Sequence, residues 1–269
     1  MIRNNILGIT MSGLEAGLRV RHVAALELSD CESSDDTDQV LSNPALTDFD
    51  RIPVRRNGRI VGVLERNSEM GRGRCDQYMK PLDESMLISA DEPLTNLLPL
   101  LKESTYRLVL EGSQIRGIVT RSDILKLPVR LVAFALITHL EMIMAETIQT
   151  RCPSQDLWLR HLSAARQQKV NTKFVMYKGE NLHLPLLEFT DFCDKRVILK
   201  SLLNLGNDFH NDLIGVEELR NTLAHAGGYA QDGNKLNEFL DRLRFTQKWI
   251  DYLGATPASS GELEAERAS

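Results

Sequence analysis

Apolar positions follow two different rhythms along this chain. From about residue 50 to 120 they gather in short β-branched runs broken by glycine-containing turns, whereas after Pro128 they recur at helical spacing with few such runs. Residues 54–64 align with residues 109–119 at an offset of 55, setting Val54, Ile60 and Gly62 against Val109, Ile115 and Gly117. In each copy a β-rich run, a turn (Asn57-Gly58 or Gly112-Ser113) and a second β-rich run predict a hairpin. The second copy also has a strand at Met86-Leu87-Ile88 and a helix over 93–102 carrying Leu94, Leu97, Leu98, Leu100 and Leu101. After its hairpin a further helix opens at Ser122-Asp123, giving the order β-α-β-β-α. In the first copy the acidic, serine-rich residues 29–38 interrupt the pattern and are expected to form a solvated loop, so this copy reads as degenerate.

These patterns predict an α+β chain. A tandem βαββα module over residues 1–127, with its well-formed copy at 83–127, precedes an all-α bundle over 128–253 and a disordered tail over 254–269. At 269 residues two cores are expected, and 42% hydrophobic with 26% charged residues is ordinary for a folded globular protein. The most apolar stretch, 131–140, runs only ten residues before Glu141, so no transmembrane helix is expected; no leader pattern is visible, and the cytoplasm is the default. Cys31, Cys75, Cys152 and Cys193 are scattered without metal-ligand spacing and read as free thiols. A net charge of −5 argues against broad nucleic-acid binding, so no DNA partner is expected, although a local basic cleft is compatible with it.

The segment Gly117-Ile118-Val119-Thr120-Arg121-Ser122-Asp123 ends a strand and begins a helix. It brings hydroxyls, a carboxylate and free backbone N–H groups to a positive helix terminus, a corner suited to a phosphorylated ribose. Asp123 can accept from both ribose hydroxyls, while Thr120, Ser122 and the helix end face phosphate. A plain helix cap by Ser122 or Asp123 explains the same heptapeptide equally well. Together with the repeat, Gly117, Ile118, Val119, Thr120 and Asp123 resemble the G-h-h-T-x-x-D signature of the CBS (Bateman) domain pair, over about residues 15–127. The resemblance implies a homodimer that binds AMP, ADP, ATP or S-adenosylmethionine as a regulatory ligand. In the first copy Glu65 stands where Thr120 does and Ser68 where Asp123 does, so one ligand site per chain is expected.

In the second half, Val216, Leu219, Leu223 and Ala226 form one stripe of a helix stopped by Gly227-Gly228, with Asn221 and His225 on the opposite side and Arg220 at the flank. Arg220-Asn221-Thr222-Leu223-Ala224-His225 resembles the Arg-x4-6-His motif of HEPN-superfamily ribonucleases, and residues 129–253 follow that family's pattern of helices: a long first helix with Phe134 and Glu141, helices near 157–176 and 194–205, the motif helix and a last helix over 235–252. The resemblance implies metal-independent, toxin-like cleavage of RNA by the attack of its own 2′-hydroxyl, with His225 moving protons, Arg220 stabilising charge on phosphorus and Asn221 orienting either. Such chemistry needs no catalytic cofactor. Two function classes result: a nucleotide-gated endoribonuclease, and a non-catalytic sensor whose bundle serves dimerisation or partner binding. His22, His139, His161, His183 and His210 lack ligand spacing and are assigned structural or surface roles.

Overall fold

The computed structural model describes residues 13, 17–66, 71–178, 184–225 and 233–255, and separates them into two compact units that divide after Val129. The first unit contains two small sheets. One has the order β1-β2-β3-β4, from β1 (Cys31–Glu32), β2 (Arg51–Arg56), β3 (Arg59–Glu65) and β4 (Lys80–Pro81). The other has the order β5-β6-β7, from β5 (Leu87–Ser89), β6 (Tyr106–Glu111) and β7 (Gln114–Thr120). In each, a short leading strand runs parallel to a hairpin strand, Cys31 opposite Val54 and Ile88 opposite Val109, so a helix must make the crossover. Those helices are α1 (Thr37–Ser42) and α3 (Leu94–Glu103).

The repeat extends beyond the aligned hairpins. A short helix α2 (Cys75–Tyr78) in one copy answers a 3-10 turn at Val20–His22 in the other. Cys75 N donates to Asp35 O at 2.9 Å, as Val20 N does to Glu92 O at 2.9 Å; Thr37 N donates to Gly73 O and Leu94 N to Leu18 O. Each leading segment therefore completes the sheet that lies one copy further along or back: Ala25 bridges Ile118, while Lys80 pairs with Val63. This crossing explains the glycine shared by both copies. A Cβ on Gly117 would sit 2.5 Å from Ala25 O, and one on Gly62 would sit 2.5 Å from Lys80 O.

The hairpin turns differ in chemistry but not in register. Asn57 and Gly58 both take positive φ (51° and 77°), as a I′ turn demands, whereas in the second copy Gly112 (φ 61°) precedes Ser113, the glycine-first pattern of a II′ turn. A bulge follows Val54 in one copy and Val109 in the other.

The acidic stretch 29–38 departs from its expected role as a solvated loop: it supplies β1 and the start of α1, with Cys31, Ser33 and Thr37 buried. Its carboxylates make local bonds. Asp36 caps α1 by accepting from Asp38 N, Asp35 accepts from Glu32 N, and Asp30 ion-pairs with Arg55. Cys31 and Cys75, remote in sequence, lie with their sulfurs 3.9 Å apart in the core of this copy, and burial pushes both thiols up in pKa. All four cysteines are free. Ile60 and Val63 from one copy pack with Tyr106 and Leu108 from the other.

The second unit is helical. Its first helix, α4 (Leu127–Arg151), takes Pro128 into its first turn, where no backbone N–H partner is needed. Val132, Leu136, Ile137, Leu140, Met144 and Ile148 bury one face of it. By length and composition α4 is apolar enough to cross a membrane, with 39% of its most apolar window buried, so the ten-residue estimate from the sequence understated the stretch. The helical region expected near 157–176 consists of two helices, α5 (Gln155–Leu159) and α6 (Ala164–Lys178). They are followed by α7 (Phe192–Leu202), α8 (Asn207–Ala224) and α9 (Gly233–Ala255). Helix α8 begins nine residues before the expected Val216 and buries Phe209, Leu213, Val216, Leu219 and Leu223. Phe209 meets Trp249 of α9 edge-on at 4.8 Å, and Trp249 Nε1 donates to Asp212. Gly227, Gly228, Ala226, His183 and residues 256–269 of the expected tail lie outside the described residues.

Candidate functional site

Strand β7 delivers Thr120 to a tight 3-10 turn, Arg121–Leu125, rather than to the α-helix expected at Ser122-Asp123; the α-helix restarts only at Leu127. Within this turn Asp123 Oδ2 accepts from Thr120 N at 2.6 Å and from Thr120 Oγ1 at 3.0 Å. Ser122 Oγ lies 2.7 Å from Thr120 Oγ1, and Lys126 Nζ lies 2.8 Å from Asp123 Oδ1. Lys126 also donates to Val23 O of the leading segment. The Asp123 side chain is only 13% exposed. Thr120, Ser122 and Asp123 are thus brought together, but as a closed cap. With its proton directed at Asp123, the Thr120 hydroxyl must rotate before it can donate to a phosphate. Lys126 is the member that sequence reasoning missed; its only local signal is a cation three residues after Asp123.

Arg121 anchors the turn by donating to Leu101 O (2.8 Å) and Lys102 O (2.7 Å) at the end of α3. Arg66 occupies the same place after β3 and donates to Leu46 O at 3.1 Å and Leu41 O at 3.4 Å near the end of α1. The two copies therefore share the anchoring arginine and differ at the following chemistry, with Glu65 in place of Thr120. Ser68 lies outside the described residues.

Residues 77–130 match the family model of the CBS domain. The chain carries a CBS domain. The match covers the second copy and the segment leading into it, and it includes Thr120, Ser122, Asp123 and Lys126. Among solved structures, the chain is similar to the CBS domain of a bacterial CNNM/CorC family Mg2+ transporter in complex with ATP, at 19% identity over 45% of this chain and 94% of that one, TM-score 0.35. It is similar also to CBSX2 in complex with AMP, at 17% identity over 43% of this chain and 98% of that one, TM-score 0.37. A third likeness is to a CBS domain pair in complex with 5′-methylthioadenosine and S-adenosyl-L-methionine, at 15% identity over 39% of this chain and 95% of that one, TM-score 0.35. No curated protein matches the chain.

In the helical unit, Asn221 is exposed on α8, and His225 is exposed as the residue that caps its C-terminus, donating its N–H to Asn221 O at 3.1 Å. Arg220 is engaged elsewhere. Its Nη1 donates to Glu141 Oε2 of α4 at 2.8 Å, its guanidinium lies over the Phe192 ring at 5.7 Å, and Glu141 Oε1 accepts from the buried Lys195 at 3.0 Å. Arg130 donates to Leu223 O, so a guanidinium already serves the C-terminal carbonyls of α8 beside His225. The motif thus divides into an arginine bonded to Glu141 and two exposed polar residues.

One further polar cluster sits at the start of α7, where Asp191, Cys193 and Asp194 place possible ligand atoms within 4.8 Å of one another. Arg166 reaches Asp191 at 2.7 Å as well as Asp194, and Lys169 and Lys173 add to Asp191 at 3.1 and 2.7 Å. Burial acts against ionisation of Asp191, yet the bonds from Lys173, Arg166 and Lys169 hold its carboxyl well below the usual carboxylate range. These carboxylates are used by cations of the protein, which suits a structural clamp.

Proposed function

We propose that the chain is an adenosine-nucleotide sensor in which the second CBS copy holds one regulatory ligand and the helical unit supplies dimerisation or partner binding. The observation that carries this reading is the Thr120, Ser122 and Asp123 cluster within the segment that matches the CBS family. Two hydroxyls and a nearly buried carboxylate at the end of a strand offer the donor and acceptor set that a ribose phosphate needs. AMP, ADP, ATP and S-adenosylmethionine are the candidates the resemblance supplies.

A ligand can act only through differential affinity for two states. In the state described here Asp123 Oδ1 is held by Lys126, the residue directly before α4. A ribose that takes over Asp123 releases that lysine, and a phosphate offers it a new partner. The change is thereby passed to the start of the longest helix through the backbone itself. Thermal melting of the full chain with and without AMP, ATP or S-adenosylmethionine tests the assignment: an upward shift in wild type that disappears in Asp123→Ala supports it, because a ligand for the native state stabilises by mass action. An equal shift in both proteins places the ligand elsewhere.

The nuclease reading stands second. Its support is the exposure of Asn221 and His225 at the end of α8; against it stands the commitment of Arg220 to Glu141. Single-stranded RNA incubated with wild type and His225→Ala in EDTA separates the readings. Cleavage by wild type alone would establish metal-independent catalysis, and cleavage by neither leaves the sensor.

A further inference from the structure

We infer that the first unit has a second ligand site, distinct from the Thr120 corner, in the cleft between its two hairpins, and that it accepts an amphipathic anion: a flat apolar body carrying a phosphate-like or sulfonate group. The cleft is about 740 Å³, within the range of roughly 300–1,000 Å³ in which pockets enclose drug-sized molecules. Gly58, Arg59 and Ile60 line one side, and Ser113, Gln114, Ile115 and Arg116 the other. Ile60 and Ile115 are repeat equivalents, so the cleft lies where matching positions of the two copies face each other. Thr120 and Asp123, at the opposite end of β7, do not line it.

Its apolar lining includes Ile60, Ile115, Leu28, Leu82 and Leu87, side chains that pack on the shared core between the copies but keep partly exposed surfaces, Ile60 excepted. A flat molecule lodged there removes that surface from water. At the rim, three arginines differ in what they already do. Arg55 is occupied: it ion-pairs with Asp30 and donates to Gly58 O at 3.0 Å, which braces the turn. Arg59 and Arg116 are exposed, and among the described residues neither has a hydrogen-bond or ion-pair partner. Glu27 is the one carboxylate of the lining, leaving cationic charge in excess there. Two guanidinium groups on opposite hairpins can each give paired N–H donors to one anionic group.

The site is tested with anilinonaphthalenesulfonate, a fluorescent flat anion with no ribose for Asp123 to hold. Titrated into the full chain, it is expected to bind one-to-one with a rise in emission. The double variant Arg59→Gln, Arg116→Gln is expected to bind about tenfold or more weakly, since each lost charged contact is of the order of one such factor. Asp123→Ala should bind as wild type does, and neutral N-phenylnaphthylamine should not distinguish wild type from the double variant. Both arginines are exposed, so the double variant is expected to melt with wild type, and its melting curve is recorded alongside. Unchanged binding by the double variant, or an equal loss in Asp123→Ala, overturns the proposal. Binding of the dye without any adenosine-nucleotide response would sink the sensor reading and leave this site standing.

Discussion

The two copies of the repeat keep the same framework and differ in the chemistry hung on it. Both have the hydrogen bonds that dock the leading segment, the bulge after the first valine, the glycine beneath a carbonyl and the arginine that closes the preceding helix. They part at the crossover helix, six residues in α1 and ten in α3, and at the end of the last strand, where Glu65 replaces Thr120. Backbone geometry has been held where the alternative is a clash or an unpaired N–H, while side-chain chemistry has been free to differ. A ligand function confined to the second copy is compatible with a fold that still requires both.

The sharpest way to break that equivalence is at the glycines. Gly117→Val and Gly62→Val each force a branched side chain against a backbone oxygen, and each is expected to destabilise the chain by about 3 kcal/mol or more. Urea denaturation followed by far-ultraviolet circular dichroism measures it. Tolerance at Gly62 with collapse at Gly117 would mean that only the second copy needs the close approach. Next come the crossover helices. Leu97→Ala and Leu101→Ala, both in fully buried positions of α3, are expected to cost about 2–5 kcal/mol. Val40→Ala removes less from the shorter α1, about 1–2 kcal/mol.

The parts of this architecture that were legible in the sequence are those with local periodicity. The leucines of α3 and the alternating hairpins repeat over enough positions to declare themselves, and the stripe Val216, Leu219, Leu223 is buried as its spacing demands. The acidic stretch is not legible from its charge, because Asp35 and Asp36 serve as turn and cap acceptors rather than as a solvated run. Docking of the leading segments left no trace, since a three-residue turn and single bridges have no period to detect. The candidate sites were legible as residue types and not as partnerships. Thr120, Ser122 and Asp123 were found, but Lys126 was not, and the bond from Arg220 to Glu141 spans 79 residues that no motif connects.

A smaller effect tests the corner itself. Asp123→Ala removes an acceptor from Thr120 N and a partner of Lys126, and a lost cap of this kind typically costs about 1 kcal/mol. Lys126→Met is the opposite probe: it frees Asp123 Oδ1 without removing the carboxylate. If lysine and ribose compete for that oxygen, this variant binds adenosine more tightly than wild type, whereas AMP, which also offers a phosphate for Lys126 to hold, gains less. Equal gains for the two ligands, read by calorimetric titration, would remove Lys126 as a phosphate partner, and no gain for adenosine would remove it from the mechanism.

The smallest expected effect contrasts the two units through pH. His22 is the one histidine before Val129, whereas the helical unit has His139, His161 and His210, whose imidazoles burial pushes below their ordinary pKa. The His139 Nδ1 is buried and has no hydrogen-bond partner among the described residues. With the folded pKa lowered, the unfolded chain takes up protons first as the solution is acidified. Stability is therefore full above the ordinary histidine value and declines as pH falls below it towards the folded value. Both tryptophans, Trp158 and Trp249, lie in the helical unit, so their fluorescence follows that unit alone. Melting followed at tryptophan should fall between pH 7 and 5, and His139→Met should flatten the fall. A tryptophan transition in His139→Met as pH-sensitive as that of wild type would assign the loss to other groups.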